Sequence, residues 1–185
     1  MKAVFFAIVA FAVSALANPV LSARQLDAES AEIDKLTAII TQHTANINKT
    51  TAAAPENPTL AQQNEAGAAL APDFQAITEA LTSATTILTK RDFIVGAITG
   101  RGACSSDCLL LKVKFLVYEI ACTLKFVIVK LGLACVLAYL TPLIVALSGL
   151  LKCLDKVVAG LLFAVKGILS SVLGGLAAGL LGLII

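Results

Sequence analysis

From Cys108 to Leu140 the chain is apolar, yet a charge interrupts it every two to six residues, at Lys112, Lys114, Glu119, Lys125 and Lys130. One lysine at a bilayer centre costs about 2.5–3.5 kcal/mol on insertion scales. Several of them exclude a simple membrane-spanning helix. At a helical period, Lys112, Glu119 and Lys130 share one face with Thr123 beside them. Lys114 and Lys125 fall nearly opposite. Long side chains that lay their stems on apolar surface and keep their heads in water satisfy this pattern, so the segment reads as a core or interfacial helix.

Further on, the charges stop. Leu131 to Leu151 is uncharged, long enough as a helix to cross a bilayer. Pro142 stands in its middle after Thr141, which predicts two helices joined near residues 141–146, a helical hairpin. The final stretch, Gly167 to Ile185, is again uncharged. Two small-residue stripes recur there every four residues, Gly167, Ser171, Gly175 and Gly179 beside Ser170, Gly174, Ala178 and Gly182. Such stripes let helices approach closely. The alternative is an adaptable tail of low helix propensity, since each glycine costs about 1 kcal/mol.

Apolarity is not spread evenly. The 185 residues are 58% hydrophobic and 14% charged, with mean hydropathy +0.92. Soluble domains average about 45–50% and about 25%, which argues against an ordinary soluble enzyme and against wholesale disorder. The net charge of +2 is too small for a nucleic-acid partner. The excess sits at the two ends. Lys2, the apolar run Ala3–Val13 and the small-residue exit Ala15-Leu16-Ala17 form a secretion-signal pattern, with cleavage expected after Ala17. An uncleaved anchor is the alternative. Three regions follow: signal 1–17, a polar Thr/Ala-rich region 18–91 with eight acids and five bases, and an apolar region 92–185 with four acids and eight bases.

The polar region reads as helices. Ser22-Ala-Arg-Gln25 has the form of a capping box. Leu26, Ile33, Ile40 and Ile47 then recur every seven residues, with Leu36 as companion. Pro55 and Pro58 mark a linker, and Thr59-Leu-Ala-Gln62 is a second capping box. Pro72 suits the first turn of another helix. Leu70, Phe74, Ile77, Leu81, Ala84 and Leu88 alternate spacings of four and three, a heptad seam. The seam buries a face without naming what covers it: a small helical bundle, an apolar surface, or the second half of the chain. Asn48-Lys-Thr50 is an N-glycosylation acceptor, and Thr50, Thr51, Thr85 and Thr86 fit O-linked sugar by composition. Lys90-Arg91, at the boundary between regions, is either a dibasic processing site or a cationic helix end.

All five cysteines, Cys104, Cys108, Cys122, Cys135 and Cys153, lie in the apolar region, which an exported chain carries into an oxidising compartment. Cys108 and Cys122 stand about 21 Å apart on one helix, too far to bridge. A hairpin turning near residue 144 would bring Cys135 to Cys153, and that disulfide is expected. An odd count leaves a thiol for pairing between chains. No C-x2-C pair exists and His43 lies in the other region, so neither a zinc site nor a Cys–His nucleophile is expected, and no cofactor.

The order of secretion signal, polar Thr/Ala-rich half and very apolar cysteine-bearing half resembles the secreted hydrophobic structural proteins of mushroom-forming fungi, found at hyphal surfaces. It differs from the hydrophobins, which carry eight cysteines with doublets; here there are five and no Cys-Cys pair. Residues 22–89 are also similar to fungal helical proteins that bind hydrophobic surfaces. The resemblance implies a non-enzymatic amphiphile, extracellular or in the cell wall. Its partners would be hydrophobic surfaces, wall material or membrane, and it could self-associate. The expected fold is all-α: an amphipathic helical N-terminal half, a linker, then an apolar helical half containing the hairpin. The competing reading is a membrane-inserting oligomer using residues 131–151 and 167–185.

Overall fold

A computed structural model describes the backbone of residues 2–91, 106–155, 158 and 160–173, and side chains within 27–90, 107–155, 158 and 160–170. The fold is all-α. Among the described residues five helices follow one another: α1 (Lys2–Ala53), α2 (Leu60–Arg91), α3 (Ser106–Leu131), α4 (Leu133–Asp155) and α5 (Leu161–Leu173).

The breaks have local causes. After α1, the Pro55–Pro58 segment turns the chain, and Thr59 opens α2. The Thr59 amide donates to Gln62 Oε1 at 2.9 Å while the Gln62 amide meets Thr59 Oγ1 at 3.4 Å, a reciprocal cap. Gly132 ends α3. Its φ of 85° is a left-handed conformation that favours glycine, and its amide donates to the Ile128 carbonyl at 2.9 Å. Gly160, with φ of 80°, takes the same left-handed conformation just before α5.

Packing joins the two halves. Helix α1 lies against α2 and α3, α2 against α4, and α3 against α5, with lighter contact of α4 on α3 and α5. The first four helices thus form a bundle in which α1 and α4 are diagonal, and α5 covers α3. The seam residues Leu70, Phe74, Ile77, Leu81, Ala84 and Leu88 are all buried, as are Ile33, Leu36, Ile40 and Ile47 of α1. Both stripes are therefore covered by this chain itself. Phe74 stacks on Tyr139 of α4, ring centroids 6.2 Å apart and planes within 4°. At Gly67, a seam position one turn before Leu70, an added Cβ would stand 3.1 Å from the Cys135 carbonyl oxygen, so glycine permits the close approach of α2 to α4.

Four expectations need correction. Helix α1 does not start at the Ser22 box but runs unbroken through it. Pro72 lies inside α2 rather than in a first turn. Pro142 likewise lies inside α4, so the hairpin near residue 144 does not form; the chain turns at Gly132 and Gly160 instead. The physical reason is shared by both prolines. Each removes one backbone donor to the carbonyl four residues earlier. Pro72 and Ala68, and Pro142 and Ala138, are all exposed, so water satisfies the freed carbonyls. The fourth correction follows from the third. Cys135 and Cys153 sit at opposite ends of one continuous helix, about 27 Å apart, and both are free thiols. Bridged Cα atoms stand below about 7 Å.

Candidate functional site

Helix α3 has three kinds of face. One is buried apolar: Leu109, Val113, Leu116, Val117, Ile120 and Leu124 among others. A second is polar and turned to α1. Lys112 Nζ pairs with Asp34 and donates to Ser30 Oγ at 2.7 Å. Thr44 Oγ1 donates to Glu119 Oε1 at 3.0 Å, with Thr123 buried close by on the same side. The face that the spacing of Lys112, Glu119 and Thr123 defines is thus where the basic half meets the acidic half. Helix α1 also ties to α2: His43 Nδ1 lies 2.7 Å from Asp73 Oδ1, and Asn46 Nδ2 donates to the same oxygen at 3.3 Å.

The third face looks outward and is also apolar. Leu111, Phe115, Tyr118, Phe126 and Val129 are exposed, Val129 at 77%. With half-buried Cys122 they recur at helical spacing along about 27 Å of α3. Lys114 and Lys125 flank this stripe on one side; on the other stand Lys130 and, on the same face, Glu119 and Lys112. The Tyr118 phenol is pushed above its usual pKa, chiefly by its hydrogen bond with the Cys122 thiol one turn on. The neighbouring helices add to the outward apolar surface with Leu133, Leu137 and Val145 on α4 and Phe163, 84% exposed, on α5. Of the eleven large apolar side chains exposed among the described residues, nine lie on α3–α5; only Ile39 and Leu60 lie on α1 and α2. The outer faces of α1 and α2 carry threonines whose hydroxyls bond back to the carbonyl four residues earlier, as Thr78 to Phe74 and Thr86 to Thr82.

Other sequence candidates fall as follows. Asn48 is half-buried, and its Oδ1 and Thr51 Oγ1 are buried without hydrogen-bond partners. Thr85 and Thr86 donate within α2. Lys90 is exposed where α2 ends at Arg91. Gly167 and Ser170 face outward on α5, and a Cβ on Gly167 would meet open space. The side chain of Ser171, and Gly174, Gly175, Ala178, Gly179 and Gly182 entirely, lie outside the described residues, as does Cys104. Cys108 and Cys122 stand on α3 as expected, and neither they nor Cys135 and Cys153 of α4 are in a disulfide.

Among the described residues, no three His, Cys, Asp or Glu side chains gather as metal ligands. An open hollow of about 530 Å³ on α2 is edged by Thr78, Glu79, Thr82, Ser83, Thr86 and Lys90, and its three threonine hydroxyls bond back to the helix backbone. The outward stripe of α3 was not singled out by sequence. Its signal was present in the 111, 115, 118, 122, 126, 129 spacing, but hidden on a helix apolar on nearly every side. The chain matches no family model, no curated protein and no solved structure.

Proposed function

We propose that this chain is a non-enzymatic secreted amphiphile that adsorbs through α3–α5 to hydrophobic surfaces while α1 and α2 face water. The observation that carries the reading is the one-sided distribution of exposed large apolar side chains, nine of the eleven among the described residues being on α3–α5. Monomeric proteins seldom leave such residues clustered without a use. Each large side chain moved from water to an apolar phase contributes about 1.5–3 kcal/mol when fully buried. Five half-exposed residues on α3 alone therefore hold the protein firmly. The resemblance to fungal hyphal-surface proteins supplies the setting: the hyphal surface or cell wall, with roles in aerial growth and attachment. Purified protein lacking residues 1–17 is expected to lower the surface tension of water and to coat a hydrophobic film. A protein that does neither ends this reading.

A second reading has one observation in its favour. Helix α4 is long and apolar enough to cross a membrane. It would have to leave the core, where Val136, Leu140, Leu143, Leu147, Leu150 and Leu151 are buried. Alkaline carbonate extraction separates the two: release without detergent supports adsorption, and retention supports insertion.

A further inference from the structure

We propose that the outward face of α3 is an interfacial docking site for anionic phospholipid surfaces, a substrate class within the adsorption reading above and resting on it. The stripe Leu111, Phe115, Tyr118, Phe126 and Val129 supplies apolar side chains that can sink to the level of the acyl boundary. Its aromatic pair Phe115 and Tyr118 fits the headgroup layer, where rings with an apolar body are favoured.

Charge decides which surface. On α3 three lysines, Lys114, Lys125 and Lys130, border the stripe. The acidic groups of this half are outnumbered by its lysines, three to six among the described side chains, and their hydrogen bonds turn away from the stripe. Glu119 accepts from Thr44 of α1. Asp155 of α4 accepts from the Leu162 amide at 3.2 Å. Asp107 stands in the first turn of α3, one turn before the stripe begins. Lys112, in turn, is paired with Asp34 and takes no part. Exposed Lys152 and Lys166, on α4 and α5, add to the same sign. Across the described side chains, residues 27–90 carry eight acids against three lysines, while residues 107–170 carry six lysines against three acids. The molecule is thus electrically two-sided in the same sense as it is apolar, with positive charge around the exposed hydrophobics. Lysine stems lie along the stripe while their heads reach lipid phosphates. A second copy of this chain is the poorer occupant. An antiparallel two-fold contact of α3 on α3 sets the Lys114 and Lys125 flanks of the two copies together, and like charges would face each other.

The test is co-sedimentation of the protein lacking residues 1–17 with vesicles of phosphatidylcholine alone and of phosphatidylcholine with phosphatidylglycerol. Binding to the anionic vesicles is expected to be at least ten-fold tighter, and to weaken as salt is raised. The triple variant Lys114→Gln, Lys125→Gln, Lys130→Gln should lose that preference while keeping its helical circular dichroism and its coating of a neutral hydrophobic film. The double variant Phe115→Gln, Val129→Gln should weaken binding to both vesicle types. Equal binding of the two vesicle types, or a triple variant that keeps the preference, overturns the proposal while film coating keeps the adsorption reading alive. Loss of film coating by the unaltered protein removes both. A dimer in sedimentation that dissociates on Val129→Glu places a second copy on the stripe and also overturns the proposal.

Discussion

Helices α2 and α3 make the instructive comparison. Each buries an apolar seam in the same bundle. Helix α2 does so with one stripe, from Leu70 to Leu88, and covers its outside with Thr, Gln, Glu and Ala. Its apolar seam is fully covered once α1 and α4 are in place, and only Leu60 at its start stays exposed among its large apolar side chains. Helix α3 is apolar on nearly every side, so packing against α1 and α5 still leaves Leu111, Phe115, Tyr118, Phe126 and Val129 in water. Folding removes the hydrophobic driving force of one helix and leaves that of the other partly unspent. The surplus is what an interface can use.

The sharpest way to break this contrast is to make the same change on each side of it. Phe74 of α2 is 1% exposed and stacked on Tyr139; Phe163 of α5 is 84% exposed. Phe74→Ala should cost about 3–5 kcal/mol, the usual penalty for emptying an aromatic core site. Phe163→Ala should change stability by no more than about 0.5 kcal/mol. Urea unfolding followed by circular dichroism reads both. Similar losses at the two positions would mean that α5 is covered in solution and that its apolar face is not available.

A smaller effect tests where the apolar half turns. Replacing Gly132 by alanine meets no neighbouring atom, so its cost is conformational alone, about 1–2 kcal/mol for the left-handed φ. Pro142→Ala should act with the opposite sign. Proline inside a helix is unfavourable by about 3 kcal/mol relative to alanine in model helices, and part of that should return as stability. If thermal unfolding showed Pro142→Ala to destabilise and Gly132→Ala to be neutral, the turn would lie near residue 142 and α4 would be two helices.

The contrast between α2 and α3 also explains what the sequence made legible. In α1 and α2, polar residues separate the apolar ones, so periodicity names the buried positions: Ile33, Leu36, Ile40, Ile47 and the whole Leu70–Leu88 seam. The Thr59–Gln62 cap is equally local, and its hydrogen bonds form as the residue types dictate. In α3 the outward Leu111 and Phe115 have the hydropathy of the inward Leu109 and Val113. Only the placement of α1 and α5 tells them apart. Lysine spacing did mark one face, because Lys112 and Glu119 needed partners and found them in Asp34 and Thr44. Proline misled at 72 and 142, where exposure of the orphaned carbonyls lowers the cost of continuing the helix. Gly67 passed unnoticed although it occupies a seam position, since nothing local says that Cys135 will approach it.

The smallest expected effect compares the two ends of α4. Cys135 Sγ donates to the Leu131 and Gly132 carbonyls at 3.2 and 3.1 Å, and burial pushes its thiol above the usual pKa. Cys153, at the far end, has its sulfur 3.7 Å from the Thr89 hydroxyl. The thiolate is the nucleophile toward iodoacetamide. A raised pKa leaves less thiolate at mildly alkaline pH, so Cys135 should be alkylated more slowly than Cys153. The gap should narrow as pH rises through the Cys135 pKa and vanish in urea. Peptide mass spectrometry after brief labelling reads the ratio. Equal rates in the folded protein would show that the Cys135 sulfur is open to water and that α3 and α4 are not joined as a tight turn. Protection of both thiols, lifted only by a reductant, would place both in disulfides, and a bridge from Cys135 to Cys153, some 27 Å apart on one helix, would require breaking α4.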